Sequence, residues 1–214
     1  MFKLELNPYV SRIQDHKDII VTYPTDADPE YIQFDDMSLP VVVDIGCGAG
    51  NFLRDYALKC PQFNYVGIEL RFKRLVKGAE KFKKHHINNI RLIQTRAEDI
   101  DKWFRFGSVA EININFPDPW PKRRQQKHRL LKTEYLRKLR ELLEKEGHLI
   151  FKSDHQEYFF NVNKLIKQCE FFEIIEYTES LHQSEFNENN IPTEFELLFK
   201  NKGMPVYYLR AAVK

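Results

Sequence analysis

The fifteen residues Asn115-Phe116-Pro117-Asp118-Pro119-Trp120-Pro121-Lys122-Arg123-Arg124-Gln125-Gln126-Lys127-His128-Arg129 carry the densest chemistry in the chain. Each proline fixes its own φ and biases the preceding residue toward extended backbone, so Asp118 and Trp120 are expected on a stiff, non-helical loop. A carboxylate, a flat ring and a block of cations then stand side by side. A site that acts on a nucleobase needs this set: an acceptor for the base edge, a stacking surface and contacts to phosphate. A rigid turn followed by a solvated basic helix start uses the same residue types, so the remaining motifs must decide between the two.

The second chemical stretch is Asp44-Ile45-Gly46-Cys47-Gly48-Ala49-Gly50. It departs from G-x-G-x-x-G because Asn51 stands where the third glycine would be. Asp44 sharpens the reading, since a carboxylate two residues before the first glycine would repel the pyrophosphate of a dinucleotide. A ligand carrying a sulfonium and an ammonium would be attracted instead. Glu69, 23 residues after Gly46, is placed to accept hydrogen bonds from both hydroxyls of a ribose. Together these point to S-adenosylmethionine, and they disfavour a nicotinamide-dependent oxidoreductase.

The elements that position these residues follow from alternating patterns. Val41–Ile45 is a β-branched run short enough for a buried parallel strand. Further strands are expected at Phe63–Glu69, Ile90–Gln94, Val109–Phe116, His148–Lys152, Phe172–Tyr177 and Val206–Val213. Between them lie helices after Gly50, over Leu70–His85, over Arg129–Glu144 until Gly147 breaks it, after a Ser153 or Asp154 cap, and over Thr193–Phe199. This predicts a doubly wound, mostly parallel seven-stranded α/β sheet with helices on both faces and a strand pair at its C-terminal edge. Ligands of such sheets bind at the carboxyl ends of the strands, so the glycine loop, Glu69, the Arg96 region, the Asp118 loop and Asp154 are expected to share one cleft. Residues 1–38 show no sustained period and read as an N-terminal extension to a domain over 39–214.

The chain has 214 residues and 43% hydrophobic composition, enough for a sizeable core. No apolar run approaches the roughly 18 residues of a membrane span. The acids and proline near the N-terminus argue against a signal peptide, and three cysteines without paired spacing suit a reducing compartment, so a cytoplasmic protein is expected, or one of an organelle stroma or matrix. The seven histidines form no spaced ligand set, and no metal is expected. Net charge is only +2, but it is segregated. Arg71–His86 holds seven Lys/Arg against one acid and Lys122–Arg140 nine against one, leaving an acidic remainder. Such a division is that of a polyanion-binding face.

With these residues in view, the chain from Val41 to its end resembles the tRNA (guanine-N7-)-methyltransferases. The matching pieces are Asp44-Ile45-Gly46-Cys47-Gly48, Gly67-Ile68-Glu69, Phe116-Pro117-Asp118-Pro119-Trp120-Pro121-Lys122, Ser153-Asp154 and Thr193-Glu194-Phe195-Glu196. The resemblance implies a Rossmann-like class I methyltransferase fold, S-adenosylmethionine as cofactor, and a variable-loop guanine of tRNA as substrate. It further implies that Asp44, Gly46, Gly48, Glu69, Arg96, Ala97 and Asp118 meet the methyl donor or the transfer site. Lys122, Arg123, Arg124, Asp154, Thr193, Glu194, Phe195 and Glu196 would meet the RNA. This sequence carries Asp44 where many members carry Glu, Arg96 where many carry an acid, and Phe195 where Tyr is common. Adenine recognition would then use backbone groups of Arg96 and Ala97, or Glu98.

Guanine N7 has a lone pair and loses no proton on methylation, so no strong base is required. A carboxylate accepting from N1–H and the exocyclic amine would orient the ring and offset the arriving positive charge. Asp118 is the expected group, with Glu196 as its partner. Thr193-Glu194-Phe195-Glu196 also fits the S/T-x-x-E capping box, and the two roles are compatible. Lys122, Arg123, Arg124, Lys127 and Arg129 would hold phosphates. Methylation of an exocyclic amino group and a non-catalytic RNA-binding role are the competing readings. The sequence suits either a monomer or a homodimer.

Overall fold

Valine, isoleucine and leucine recur in the runs that become strands, and the chain folds most of these strands into parallel ladders. The computed structural model of the protein describes residues 7–22 and 32–214. It divides into two compact units, the first ending at Trp103 and the second spanning Phe104–Lys214.

In the first unit the strands β1 (Ile20–Thr22), β2 (Val41–Ile45), β3 (Asn64–Glu69) and β4 (Ile90–Gln94) lie in the order β1-β4-β3-β2, all parallel. Val42, Val43, Val66, Leu92 and Ile93 are fully buried, as strands covered on both faces require. A short helix α1 (Pro8–Arg12) precedes β1. Helix α2 (Asn51–Lys59) buries Phe52, Leu53 and Ala57. Helix α3 (Phe72–Lys84) buries Leu75, Val76, Ala79 and Phe82, a one-sided stripe at helical spacing that leaves Lys73, Lys77, Lys83 and Lys84 exposed, while half-buried Lys81 donates to Ala49 O at 2.8 Å. The edge strand β1 is additional to the seven expected strands. It is only three residues long and pairs Ile20 with Leu92, too short to leave a period-two signature in the sequence.

The second unit orders its strands β5-β6-β8-β7, where β5 is Val109–Asn115, β6 Leu143–Ser153, β7 Phe172–Thr178 and β8 Tyr207–Val213. β5 and β6 are parallel, and β8 runs antiparallel to both β6 and β7. Helices α4 (Thr133–Leu142), α5 (Gln156–Gln168) and α6 (Glu194–Asn201) connect them.

Two local expectations are corrected. The helix expected over Arg129–Glu144 starts only at Thr133 and ends at Leu142, where β6 begins at once. Gly147 lies inside β6 rather than breaking a helix, and a Cβ there would stand 3.0 Å from both Glu144 O and Leu143 Cβ, so glycine lets the strand pass that turn. The cap of α5 is His155, whose Nδ1 accepts from the Tyr158 N–H at 3.2 Å, while Ser153 Oγ accepts from the His155 N–H at 3.0 Å. Among the described residues no helix is long and apolar enough to cross a membrane, and no group of three His, Cys, Asp or Glu could hold a metal ion.

Candidate functional site

In the first unit, adjacent parallel strands bring the glycine loop, Glu69 and the Arg96 turn side by side at their carboxyl ends. The N–H groups of Gly46 and Cys47 both donate to Ile68 O, at 2.8 and 3.0 Å, tying the loop to β3. Gly46, Gly48 and Gly50 all have positive φ. Gly67 lets the loop and α2 close onto β3, because a Cβ there would lie 2.6 Å from Cys47 Sγ and 2.8 Å from Leu53 Cδ1. Gly46 is exposed and meets nothing within 4 Å of where a Cβ would be, leaving an open backbone cradle above the strand ends.

Asp44 is only 3% exposed at the end of β2. Glu69 is half-buried, and its Oε1 accepts from the N–H groups of Leu70 and Arg71, each at 2.9 Å, so the carboxylate is held in one orientation. Burial, followed by the negative charges of Asp44 and then Glu69, pushes the Cys47 thiol well above its ordinary range. Arg74 tempers this field only partly, its guanidinium lying against Gly48. An acidic cradle with exposed glycine backbone fits a cationic, ribose-bearing ligand and repels a pyrophosphate. Arg96 is exposed and extended, and its carbonyl accepts from the Asp99 N–H at 3.1 Å to close the short turn over Ala97–Lys102.

In the second unit, β5 and β6 pair Asn115 with Lys152, so the Asp118 loop and Asp154 leave neighbouring strand ends. Asp118 is exposed and Asp154 half-buried. The loop is stiff, but not in the way the prolines alone imply. Phe116 has φ 51° and Trp120 φ 44°, left-handed conformations that each cost on the order of 1–3 kcal/mol without glycine. The expected extended backbone at Trp120 is therefore replaced by a strained one, and the surroundings show what holds it. The Phe116 N–H donates to Lys152 O at 2.9 Å. The Trp120 ring lies 5.3 Å from that of His128. Arg129 Nε donates to Pro119 O at 2.8 Å.

Arg129 also corrects the basic track. It is 7% exposed, donates to both carboxylate oxygens of Glu157 at 3.2 and 3.0 Å, and stands over the Tyr158 ring at 4.8 Å. Buried, and with Nε, Nη1 and Nη2 each committed to the loop or to Glu157, its guanidinium is a clamp on the loop rather than an exposed phosphate contact. The same hydrogen bonds hold the Glu157 carboxyl below its ordinary range. Lys122, Arg123, Arg124 and Lys127 are exposed around the turn over Arg123–His128, as a phosphate track requires.

Thr193 caps α6, its Oγ1 accepting from the Glu196 N–H at 3.0 Å, and Glu194 and Phe195 are exposed beside it. The sequence places Glu196 next to Asp118 on the base; the structure gives its carboxylate, at 0% exposure, to Lys152 at 2.8 Å and Asn190 at 2.5 Å. Lys152 has no role in the sequence-based expectation, and Arg129 is expected there on phosphate rather than on the loop and Glu157. The signal was there for Lys152, a lysine ending a strand that is otherwise apolar from Leu149, which must find a counter-charge if the strand is buried.

Residues 38–209 match the Methyltransf_4 family, described as "Putative methyltransferase". The chain belongs to this family. It is the family of the tRNA (guanine-N7-)-methyltransferases, and its methyl donor is S-adenosylmethionine. A "Bifunctional glycosyltransferase/methyltransferase" of Fusobacterium nucleatum is 37% identical over 204 residues; the match covers 94% of this chain but only 31% of that relative's length. Among solved structures, a 30S ribosomal A1408 methyltransferase from an uncultured bacterium is similar with a TM-score of 0.59 at 18% identity, covering 88% of this chain and 98% of that one. An S-adenosylmethionine-dependent methyltransferase from Aquifex aeolicus is similar with a TM-score of 0.57 at 13% identity, covering 99% and 93%. At these identities the likeness shows the fold, the class I methyltransferase fold that the sequence predicts.

Proposed function

We propose that this member of the Methyltransf_4 family transfers a methyl group from S-adenosylmethionine to N7 of a guanine in tRNA. The observation that carries the reading is the Asp118 loop: an exposed carboxylate on strained, clamped backbone, followed at once by the exposed cations Lys122, Arg123, Arg124 and Lys127. Asp44 and Glu69 would hold the donor's cationic and ribose groups, with Gly46 and Gly48 lying against it and the Arg96–Ala97 turn flanking its base. Bound there, the donor supplies an electrophilic methyl group on a sulfonium.

Asp118 accepts from guanine N1–H and the exocyclic amine. That contact turns the ring in its plane, so it selects which nitrogen is presented, and it offsets the positive charge that N7 methylation places on the purine. A fixed loop matters because the carboxylate then needs no reorganisation as that charge develops. The base edge must be free for this grip, so a looped-out or flipped guanine is favoured over a paired one. Lys122, Arg123 and Arg124 hold backbone phosphates, with Asp154, Thr193, Glu194 and Phe195 around the RNA.

The phosphate role is tested by replacing Lys122, Arg123 and Arg124 together with alanine. Each lost phosphate contact reduces the slope of log K against log salt by about 0.7–0.9, so tRNA binding should weaken and its salt dependence flatten by about 2–3 units of slope. An unchanged slope would assign these residues to a solvated face and remove RNA from the reading.

A further inference from the structure

Lys152 and Glu196 are 44 positions apart, and both are buried in the second unit, at 3% and 0% exposure. All three ammonium donors of Lys152 find acceptors: Glu196 Oε2 at 2.8 Å, Asn190 Oδ1 at 2.5 Å and Ile191 O at 3.1 Å. Asn190 closes the network by donating Nδ2 to Glu196 Oε1 at 2.5 Å. A charge pair this deep is costly to dehydrate and adds little to stability over an apolar pair of the same size. Removing one partner leaves the other charge buried and alone, which is severe.

What the pair touches indicates what it does. Lys152 O accepts the N–H of Phe116, the left-handed residue two positions before Asp118. Glu196 lies in the first turn of α6, and that helix sets Phe195 and Phe199 against the Phe116 ring, with centroids 6.4 and 5.5 Å apart. One residue of the pair thus holds the loop by its backbone, and the other holds the helix that packs on the loop's first side chain.

We infer that Lys152 and Glu196 are a positioning pair for the Asp118 loop, with Glu196 acting through Lys152 and α6 rather than on the RNA base. The consequence for methyl transfer rests on the reading of Asp118 given above; the consequence for loop geometry stands without it.

The test compares Lys152→Met, Glu196→Met, Glu196→Gln and the double variant Lys152→Met/Glu196→Met in the full chain. Of the two tryptophans, Trp103 is 2% exposed, so acrylamide quenching reads Trp120 in the loop. Either single methionine variant should raise the Trp120 quenching constant about twofold and lower kcat on bulk unmodified tRNA about 10- to 100-fold, with KM for tRNA within about threefold, because one buried charge is orphaned. The double variant, with neither charge left, should return the quenching constant to about that of the unaltered chain and kcat to within about fivefold of it, a coupling that only partners acting as a unit show. Glu196→Gln keeps the shape and one acceptor, and should lie between the single variants and the unaltered chain even if a methionine variant fails to fold. A double variant as impaired as the worse single one, or Trp120 quenching that no single variant moves, overturns the inference. Absence of methyl transfer to tRNA by the unaltered chain would overturn the proposed function instead, while the quenching comparison would still decide the pair.

Discussion

Asp118→Ala should lower single-turnover methyl transfer to unmodified tRNA by about 100- to 1,000-fold, the usual cost of removing one preorganised group from a developing charge. Donor affinity, read by titration, should stay within a few-fold, because the residues proposed to hold the donor, Asp44, Glu69 and the Gly46 backbone, remain in place. The alanine chain can still admit a guanine, but nothing then fixes the ring in its plane or answers the charge that arrives on it. Asp118→Asn should fall between the two, since the amide keeps an acceptor oxygen and the side-chain shape but loses the negative charge. Because the loop is held through Phe116, Pro119 and Trp120 rather than through the Asp118 side chain, neither substitution should change the unfolding midpoint by more than a degree or two. Near-normal turnover by the alanine variant would take Asp118 out of the chemistry.

The second large effect falls on the glycine loop proposed to hold the donor. Gly50 caps α2 with φ +68°, and a Cβ there would stand 2.4 Å from Cζ of Phe82, a ring with 0% exposure in the core of the first unit. Gly50→Ala therefore combines a left-handed alanine, about 1–2 kcal/mol, with overpacking against a rigid aromatic, about 1–3 kcal/mol. A loss of about 2–5 kcal/mol on chemical denaturation is expected, together with weaker donor binding as the start of α2 moves away from β3. Gly46→Ala is the control. It carries the same kind of backbone strain, with φ +83°, but its Cβ meets nothing within 4 Å. Without donor present it should cost only the backbone part, about 1–2 kcal/mol. Equal destabilisation by the two would mean that the Phe82 contact does not shape the loop.

The reach of sequence reasoning differs between these sites for physical reasons. The strands Val41–Ile45, Asn64–Glu69 and Ile90–Gln94 were readable because buried parallel strands are rich in apolar residues, and Val109–Asn115 because Val109, Ile112 and Ile114 still mark it between polar Glu111, Asn113 and Asn115. The glycine loop was readable because only glycine tolerates three positive φ values within five residues. β1 was not, since three residues at an edge carry no period. The end of α4 was misplaced because Leu142 and Leu143 are both apolar, one finishing a helix and the next starting a strand, and hydrophobicity cannot separate them.

Trp120 shows the limit of local rules. The following proline argues for extended backbone, yet His128 and the Arg129 clamp on Pro119 hold it left-handed, and those partners are known only after folding. Arg129 and Glu196 were misread in the same way. A cation among cations looks solvated, and an acid in a capping box looks local, until Glu157 and Lys152 arrive from distant parts of the chain.

Under the proposed function the transferred methyl group belongs on one atom, guanine N7. Incubating the chain with methyl-labelled S-adenosylmethionine and bulk tRNA that lacks the modification, then digesting the RNA to nucleosides, locates the transferred group. The label should be recovered as N7-methylguanosine. Label on an exocyclic amine, or unlabelled tRNA from a chain that binds the donor normally, would contradict the account.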